Sequence, residues 1–349
     1  MDLFGSFLRK DSVKIQTRRM EQPGVLRFVS RKRVFELAHI EHSKSAEDIS
    51  AKRHNDTHAM DTFLENRLAQ FEAAGQFILN FLDPNELISP GGALGMPMTA
   101  PSTAVSVVFL YISFVLVMPL VMKAFPPLEL YPVKFLYNLS QIMLCSYMTI
   151  EAALVGYRAG YTLTPCNNFS TTSPPLLSLL YLFYLSKIWD FWDTVFIVLG
   201  KKTKQLSFLH VYHHTTIFFF YWLNSILNYD GDVYLTIVLN GFIHTVMYTY
   251  YFVSMHTKIP SKLSVDGKSG TCIPIGWKSW LTVNQLVQFV IMMTQAGLMV
   301  VRGCDMPNQK IIWTYLFYIG TLFLLFMQFF VRSYITGPAK KGRGKGKKD

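Results

Sequence analysis

Three histidines within five consecutive residues are the first feature of the sequence that could carry out chemistry. His210, His213 and His214 form an H-x-x-H-H pattern, and His244 follows farther along the chain. Residues three and four positions apart share a face of a helix, so these imidazoles can point to the same side. Imidazole can exchange protons near neutral pH, attack a carbonyl carbon or bind a metal ion. The spacing therefore predicts either an acyl-transfer site or a metal site.

Further polar side chains lie at helical spacing in apolar segments before and after these histidines. They are Lys187, Asp190, Asp193 and Thr194 in one segment, Asn240 in the segment of His244, and Asn284, Gln285, Gln288 and Gln295 in a later one. A polar residue inside an apolar segment is costly and is a functional candidate by default. For one such residue, a hydrogen-bonded contact between helices is the simpler interpretation. Polar stripes on four neighbouring segments instead predict an internal polar chamber.

The number of histidines helps to separate the two chemistries. Membrane di-iron desaturases also contain an H-x-x-H-H pattern, but they need more imidazoles than the apolar segments of this chain offer. The histidines in or beside those segments are His210, His213, His214, His244 and His256. A single-metal site on His210, His214 and His244, with Asp190 or Asp193 as a further ligand, stays open as an alternative. Acyl transfer needs a nucleophile, a proton partner and donors for an oxyanion, and the polar chamber could supply all three.

The segments that must position these residues have the composition of membrane-spanning helices. Of the 349 residues, 51% are hydrophobic and 16% are charged, whereas soluble domains average about a quarter charged. Seven nearly uncharged stretches each come close to the roughly 20 residues that span a bilayer. They are residues 104–122, 135–157, 176–199, 205–223, 233–255, 279–301 and 311–331. The sequence thus predicts an all-α polytopic membrane protein with seven transmembrane helices, and it excludes a soluble domain or a disulfide scaffold.

The net charge of +11 carries information about orientation. The excess of Lys and Arg over Asp and Glu lies between and after the long apolar stretches. A nucleic-acid-binding groove would not contain such stretches, so no nucleic acid is expected as a partner. Lys and Arg concentrate in the connections at 123–134, 201–204 and 258–278 and in the C-terminal tail, which are predicted to be cytoplasmic. The other connections hold Arg158, Arg302 and Lys310. Cys166 and Cys304 fall on that second, lumenal face, where they could form a disulfide or remain free thiols, and the Asn168-Phe169-Ser170 sequon lies beside them.

The composition divides the chain into three regions. Residues 1–100 have mixed charge and are predicted to be partly disordered with short helices. Residues 101–336 hold the seven spans, and residues 337–349 form a basic cytoplasmic tail. Within the first region, residues 71–82 have apolar side chains at helical spacing, which indicates either a helix on the membrane surface or a solvated helix.

Four motifs in order give the sequence a resemblance to a known family. They are KIWDFWDT at 187–194, HVYHH at 210–214, NGFIHTVMY at 240–248 and TVNQLVQ at 282–288, the last fitting T-x-x-Q-x-x-Q. From about Leu128 to the C-terminus the sequence resembles the ELO-type very-long-chain fatty acid elongases, the membrane 3-ketoacyl-CoA synthases of the endoplasmic reticulum. One departure is Asp190, where the family pattern usually has Glu.

The resemblance implies a fold and a reaction. Six helices would surround a narrow acyl tunnel, with the first span packed outside. The reaction would be condensation of an acyl-CoA with malonyl-CoA to give 3-ketoacyl-CoA, CO2 and CoA. His213 would be the nucleophile that accepts the acyl group, His244 the second catalytic histidine, and His210 and His214 would orient groups, exchange protons or ligate a metal.

The implied substrate-binding residues fall into two groups. The first lies among the spans: Lys187, Asp190, Asp193, Asn240, Tyr248, Gln285 and Gln288. The two aspartates would mainly fix Lys187 and the histidines. The second group lies at the cytoplasmic mouth, where cations suit the phosphates of CoA: Lys201, Lys202, Lys204 and Lys258. No resident metal or bound cofactor is expected.

An acyl chain would need a tube of apolar side chains. Residues 218–222 and 323–330, with Met292 and Met293, could line it, although lipid contact or core packing explains each residue equally well. The expected partners are long-chain acyl-CoA, malonyl-CoA, the lipid bilayer, and the reductase and dehydratase of the elongation cycle.

The C-terminal KGKKD at 345–349 fits K-x-K-x-x, which resembles the dilysine retrieval signal of endoplasmic reticulum membrane proteins. A basic tail at an anionic membrane is the plainer interpretation. Two alternatives to the elongase function stay open at this point: a metal-dependent fatty acid desaturase or hydroxylase, and a seven-span receptor or transporter.

Overall fold

The computed structural model describes residues 31–82, 92–167, 173–227, 231–256, 276–304 and 309–336. The regular structure of these residues is helical and contains no strand, which confirms the all-α prediction. The helices are α1 (Arg31–Leu82), α2 (Pro101–Val121), α3 (Tyr131–Arg158), α4 (Leu177–Leu199), α5 (Phe208–Ile226), α6 (Val233–His256), α7 (Gly276–Arg302) and α8 (Gln309–Phe330). Short 3-10 turns follow α2 (Met122–Ala124) and α4 (Thr203–Gln205), and a π-helical turn (Val331–Ile335) follows α8.

Contacts divide the chain into two compact units, Met1–Leu64 and Glu65–Asp349. Helix α1 begins in the first unit and ends in the second. The sequence predicted short helices in this region, whereas the structure has one helix of 52 residues. The reason is that residues 31–82 contain no proline and a single glycine, Gly75, so nothing in the stretch interrupts the backbone hydrogen bonds. In the first unit, the described side chains from residue 50 onward are exposed.

Helices α2 to α8 coincide with the seven apolar stretches of the sequence. Four of the described helices are long and apolar enough to cross a membrane: Pro101–Ala124, Tyr131–Arg158, Trp277–Arg302 and Gln309–Ile335. Two helices that are not among these four carry most of the polar candidates: α4 has Lys187, Asp190 and Asp193, and α5 has three histidines.

Helix α3 packs closely along α6. A Cβ added at Gly241 would collide with the Thr149 hydroxyl and come within 3.2 Å of the Cys145 carbonyl oxygen. One added at Gly156 would lie 2.7 Å from the ring of Tyr234. Because neither glycine has a side chain, the two helices can approach closely. This contact holds α6, and with it His244, against α3.

The segment before α2 packs against the end of the bundle at which α4 begins and α5 ends. The Ala93 N–H donates to the Ser225 carbonyl at 2.8 Å, and the Tyr184 hydroxyl donates to the Met98 carbonyl at 2.6 Å. At the other end of α4, the Leu128 N–H donates to the Leu199 carbonyl at 3.0 Å. Helix α4 therefore starts beside the start of α2 and ends beside the connection that follows α2.

A second set of contacts joins the ends of α3 and α7 to the start of α6. Cys166 and Cys304 form a disulfide with their Cα atoms 5.1 Å apart. The buried Asp232 carboxylate accepts hydrogen bonds from the Cys166 N–H at 3.0 Å and from the Asn167 side chain at 2.6 Å. The Gln295 side chain donates to the Asp232 carbonyl at 3.1 Å. The two cysteines that the sequence placed on one face are thus joined. Gln295 makes its hydrogen bond at this end of the bundle.

Candidate active site

Helix α5 carries the three clustered histidines on neighbouring positions of its surface. The helix begins after Ser207, whose hydroxyl accepts a hydrogen bond from the His210 N–H at 3.2 Å, as an N-cap residue does. The ring centroids of His210 and His214 are 4.4 Å apart, and those of His213 and His214 are 5.3 Å apart. The spacing in the sequence thus produces a compact imidazole cluster.

Helix α6 adds a fourth imidazole to this cluster. The centroids of His213 and His244 are 6.5 Å apart, and their ring planes differ by 23°. His244 is buried, and its Nδ1 atom has no hydrogen-bond partner among the described residues. Two helices therefore bring together the two histidines that the resemblance implied as catalytic.

His210 is tied to two neighbouring helices. Its Nε2 atom lies 2.8 Å from the Thr194 hydroxyl of α4. That hydroxyl lies 3.0 Å from the Tyr111 hydroxyl of α2, and the Tyr111 ring stacks on Phe191 with centroids 4.3 Å apart. One ring nitrogen of His210 is therefore occupied, and α2 contributes to the surroundings of the site.

Lys187 and Asp190 form a buried ion pair one turn apart on α4. The Lys187 Nζ lies 3.2 Å from Asp190 Oδ2, and the two side chains are 2% and 4% exposed. The same ammonium group lies 4.2 Å from the centroid of the Phe183 ring. A buried charge without a partner would be very costly, so each residue requires the other.

Gln141 of α3 joins this ion pair to a group of tyrosines. Its side-chain nitrogen lies 2.7 Å from Asp190 Oδ1 and 2.9 and 3.1 Å from the hydroxyls of Tyr137 and Tyr248. The Tyr248 hydroxyl donates in turn to Asp193 Oδ2 at 2.8 Å. The polar chamber is thus a network that spans α3, α4 and α6, in which Asp190 contacts Lys187 and Asp193 contacts Tyr248.

A small cavity opens beside His213. Its lining comes from α5, α6, α7 and α8: His213, Ile217, Phe220, Tyr221, Asn224, Asn240, Gln288, Phe289, Met292, Tyr315, Tyr318, Ile319 and Leu322. Among these, the amide oxygens of Asn240 and Gln288 are buried without a hydrogen-bond partner in the described part of the chain. Buried polar atoms are nearly always paired, so these two oxygens indicate that a polar ligand belongs here.

The cavity includes only part of the predicted apolar tube. Phe220, Tyr221 and Met292 line it, while the α8 contribution comes from residues 315–322, which precede the predicted stretch 323–330. From that stretch, Phe326 lies 6.2 Å from His213 between ring centroids.

The remaining predicted residues lie outside the cavity lining. Gln285 is half-buried on α7. Lys201, Lys202 and Lys204 are exposed just after α4. Lys258, the sequon at 168–170 and the C-terminal motif lie outside the described residues. Within the described ranges, no group of three or more His, Cys, Asp or Glu side chains has an arrangement that could hold a metal ion.

Similarity to known proteins covers most of the chain. Residues 96–342 match the model of the ELO family, described as the GNS1/SUR4 family. The chain belongs to the ELO family. Very long chain fatty acid elongase 2 of Mus musculus is 36% identical over 225 residues, which are 63% of this chain and 72% of that protein. Elongase 4 of Homo sapiens is 30% identical over 252 residues (71% and 76%), and elongase 5 of Tachysurus fulvidraco is 31% identical over 250 residues (70% and 78%).

Membership of the ELO family confirms the resemblance seen in the motifs. This ELO-family chain is an enzyme of fatty acid elongation and a multi-pass membrane protein. The match includes helices α2 to α8 and begins after α1. Elongation is therefore preferred over the desaturase and the receptor or transporter that the sequence had left open.

Gln141 and Tyr111 are among the residues of this ELO-family site that were not predicted from the sequence. Gln141 is a polar residue within an apolar stretch, so the rule that selected the other candidates would also have selected it. Tyr111 gave no such signal, because tyrosine is common in transmembrane helices and its partner Thr194 lies on another helix. Finding Tyr111 requires knowledge of which helices are neighbours.

Proposed function

We propose that this ELO-family enzyme is a very-long-chain 3-oxoacyl-CoA synthase, which condenses an acyl-CoA with malonyl-CoA to give 3-ketoacyl-CoA, CO2 and CoA. The observation that carries the proposal is the placement of His213 in a cavity that is also lined by the side-chain amides of Asn240 and Gln288, whose oxygens are unpaired among the described residues. A nucleophile and polar groups for a thioester carbonyl thus meet beside an apolar lining that suits a fatty acyl chain.

In the first half-reaction, a ring nitrogen of His213 attacks the thioester carbon of acyl-CoA. The carbon–sulfur bond breaks, and CoA leaves as the thiol with the proton that the imidazole gives up. The product is an acyl-imidazole. The side-chain N–H groups of Asn240 and Gln288 can stabilise the oxyanion that forms on the carbonyl oxygen.

In the second half-reaction, malonyl-CoA loses CO2 and becomes a carbanion at its α-carbon. The carbanion attacks the acyl carbon, the carbon–nitrogen bond breaks, and the imidazole regains a proton. The ring centroid of His244 lies 6.5 Å from that of His213, a separation at which one water can carry that proton between them. Lys187, held by Asp190, and Gln285 are the groups proposed for the malonyl carboxylate, and Asp193 holds Tyr248 within the site.

Seven membrane crossings are part of the proposal, and contacts between helix ends support them. Helix α4 starts beside Met98 and ends beside Leu128, so it covers the same height as α2, which is a candidate span. Ser225, near the end of α5, bonds to Ala93 before α2, so α5 returns to the end at which α4 began. Both helices therefore cross if α2 crosses.

The contacts around the disulfide support a membrane crossing by α6 as well. Helices α3 and α7 are candidate spans that end at the same side, because Cys166 and Cys304 are bonded. Helix α6 begins at that side as well, since Asp232 bonds to the Cys166 N–H. To let α7 return to this side, α6 must cross to the other. In the proposed arrangement six helices surround the acyl tunnel, and α2 packs outside them.

The proposed orientation places the disulfide in the lumen of the endoplasmic reticulum and the C-terminus in the cytoplasm. Lys201, Lys202 and Lys204, exposed after α4, then face the cytoplasm together with Lys258, where they would bind the phosphates of CoA. A 3-ketoacyl product must next be reduced and dehydrated, so the reductase and dehydratase of the cycle are the proposed partner enzymes.

The decisive experiment supplies the purified protein with malonyl-CoA labelled at its second carbon and with acyl-CoAs of graded length. Condensation retains that carbon, so we expect label in a 3-ketoacyl product, released CO2 and a requirement for acyl-CoA. Oxygen consumption and the iron content of the same preparation test the desaturase alternative. Absence of label from the lipid product with every acyl-CoA would refute the proposal.

A further inference from the structure

Gln141 lies on α3, which otherwise supplies none of the predicted site residues. We propose that Gln141 is a positioning residue for the Lys187–Asp190 pair, and that its side chain and the Asp190 carboxylate are matched in length. The inference rests on the proposed function, because the ion pair is taken there as part of the malonyl-binding group.

The first support is the division of the Asp190 carboxylate between two partners. Oδ2 faces the Lys187 ammonium at 3.2 Å, and Oδ1 accepts from the Gln141 amide at 2.7 Å. With both oxygens held, the carboxylate cannot rotate without losing a contact. A hydrogen bond to a charged acceptor is among the stronger ones in proteins, so Gln141 fixes the direction in which Asp190 holds the ammonium.

The second support is the lack of spare space. Gln141 is 0% exposed and Asp190 is 3% exposed, and the two side chains already touch. A glutamate at position 190 would extend by one further carbon–carbon bond and would push its carboxylate onto the amide of Gln141. Aspartate at 190 and glutamine at 141 are therefore complementary in length.

The third support is the position of Gln141 in the wider network. The same side-chain nitrogen lies within hydrogen-bond distance of the Tyr137 and Tyr248 hydroxyls, and Tyr248 holds Asp193. Helices α4 and α6 carry the ion pair and His244, respectively. Gln141 thus connects the two helices whose relative position sets the distance from the Lys187 ammonium to His244.

The test moves one methylene from residue 141 to residue 190. Gln141→Asn alone and Asp190→Glu alone should each lower kcat by about tenfold. The first variant separates the amide from the carboxylate and breaks their hydrogen bond, and the second forces the carboxylate against the amide. The double variant Gln141→Asn/Asp190→Glu keeps the combined length and should recover more activity than either single variant. The KM for acyl-CoA should stay unchanged, since the cavity lining lies on α5 to α8.

A matched control separates positioning from stability. Gln295 is also a buried glutamine, but it donates to the Asp232 carbonyl at the disulfide end. Gln295→Leu should lower the thermal midpoint without changing kcat per folded molecule, while Gln141→Leu should lower kcat.

Two results would overturn the inference: Gln141→Leu with kcat within about twofold of the parent, or a double variant whose loss equals the product of the single losses. The condensation activity of the unmodified protein tests the proposed function separately. If that protein is active and the double variant recovers no activity, the positioning role of Gln141 is refuted while the proposed function stands.

Discussion

His213 differs from the other three histidines of the cluster in its access to substrate. Of the four, His213 is the one that lines the cavity in the described residues. His210 has its Nε2 atom engaged by Thr194, and His214 and His244 are buried. A nucleophile must reach the thioester carbon with a free ring nitrogen, so position in the structure favours His213 where the sequence pattern alone treats the three box histidines alike.

His213→Ala should abolish the release of CoA from acyl-CoA when malonyl-CoA is absent, with a loss of about a thousandfold or more, as expected for a missing nucleophile. Mass spectrometry of the unmodified protein after acyl-CoA treatment should find the acyl group on the peptide that contains His213. His256→Ala is the matched control, since His256 is exposed at the end of α6. Acylation of a His244 peptide, or unchanged CoA release by His213→Ala, would assign the nucleophile to another residue.

At the scale of the helices, the start of α2 depends on a side chain from α1. Residue Ala100 at the N-cap offers no capping side chain. Instead, Glu72 Oε2 accepts a hydrogen bond from the Ser102 N–H at 2.8 Å, and Glu72 Oε1 accepts one from the Gln76 side chain at 3.1 Å. A carboxylate at the N-terminus of a helix also interacts favourably with the helix dipole. Glu72 therefore fastens the C-terminal part of α1 to the first turn of α2.

This contact makes stability depend on pH. Burial raises the pKa of Glu72, but the hydrogen bonds from Gln76 and Ser102 outweigh it, and the pKa of this carboxyl lies below its ordinary value of 4.5. A lowered pKa in the folded state means that the contribution is present above pH 4.5 and is lost as the pH falls below that value.

Glu72→Gln should therefore lower the thermal midpoint at pH 7, by an amount that corresponds to about 1 kcal/mol or less, and should have a smaller effect at acidic pH. Glu65→Gln, at an exposed position of the same helix, is the control. A midpoint that Glu72→Gln leaves unchanged at pH 7 would show that the contact adds no stability.

The helices also show which parts of the structure were accessible from the sequence. Seven apolar stretches predicted α2 to α8, because the length and composition of a span are local properties. Helical spacing likewise predicted that His210, His213 and His214 would cluster. The contacts of Gln141 and Tyr111 were not predicted, since they depend on which helix faces which. Spacing in one helix defines its faces, and it carries no information about the neighbour that covers each face.

At the scale of the whole molecule, three sets of contacts constrain how the chain passes the membrane. The segment before α2 meets the start of α4 and the end of α5, Leu128 meets the end of α4, and the disulfide with Asp232 joins α3, α6 and α7. Each helix from α2 to α7 then runs opposite to its predecessor. In the proposed arrangement α8, itself a candidate span, also crosses, which places Thr336 and the segment before α2 on opposite faces.

Gln205 and Gln309 provide a matched pair of positions to test this arrangement. Both are exposed glutamines, the first in the turn after α4 and the second at the start of α8. With seven crossings they lie on opposite faces. In a Cys272→Ser background, the Gln205→Cys variant in sealed microsomes should react with a membrane-impermeant maleimide, and the Gln309→Cys variant should react only after permeabilisation. Cys145 is buried and Cys166 and Cys304 are bonded to each other, so they add little background. Labelling of both variants before permeabilisation would contradict seven crossings, because α5, α6 and α7 lie between the two positions and three crossings must put them on opposite faces.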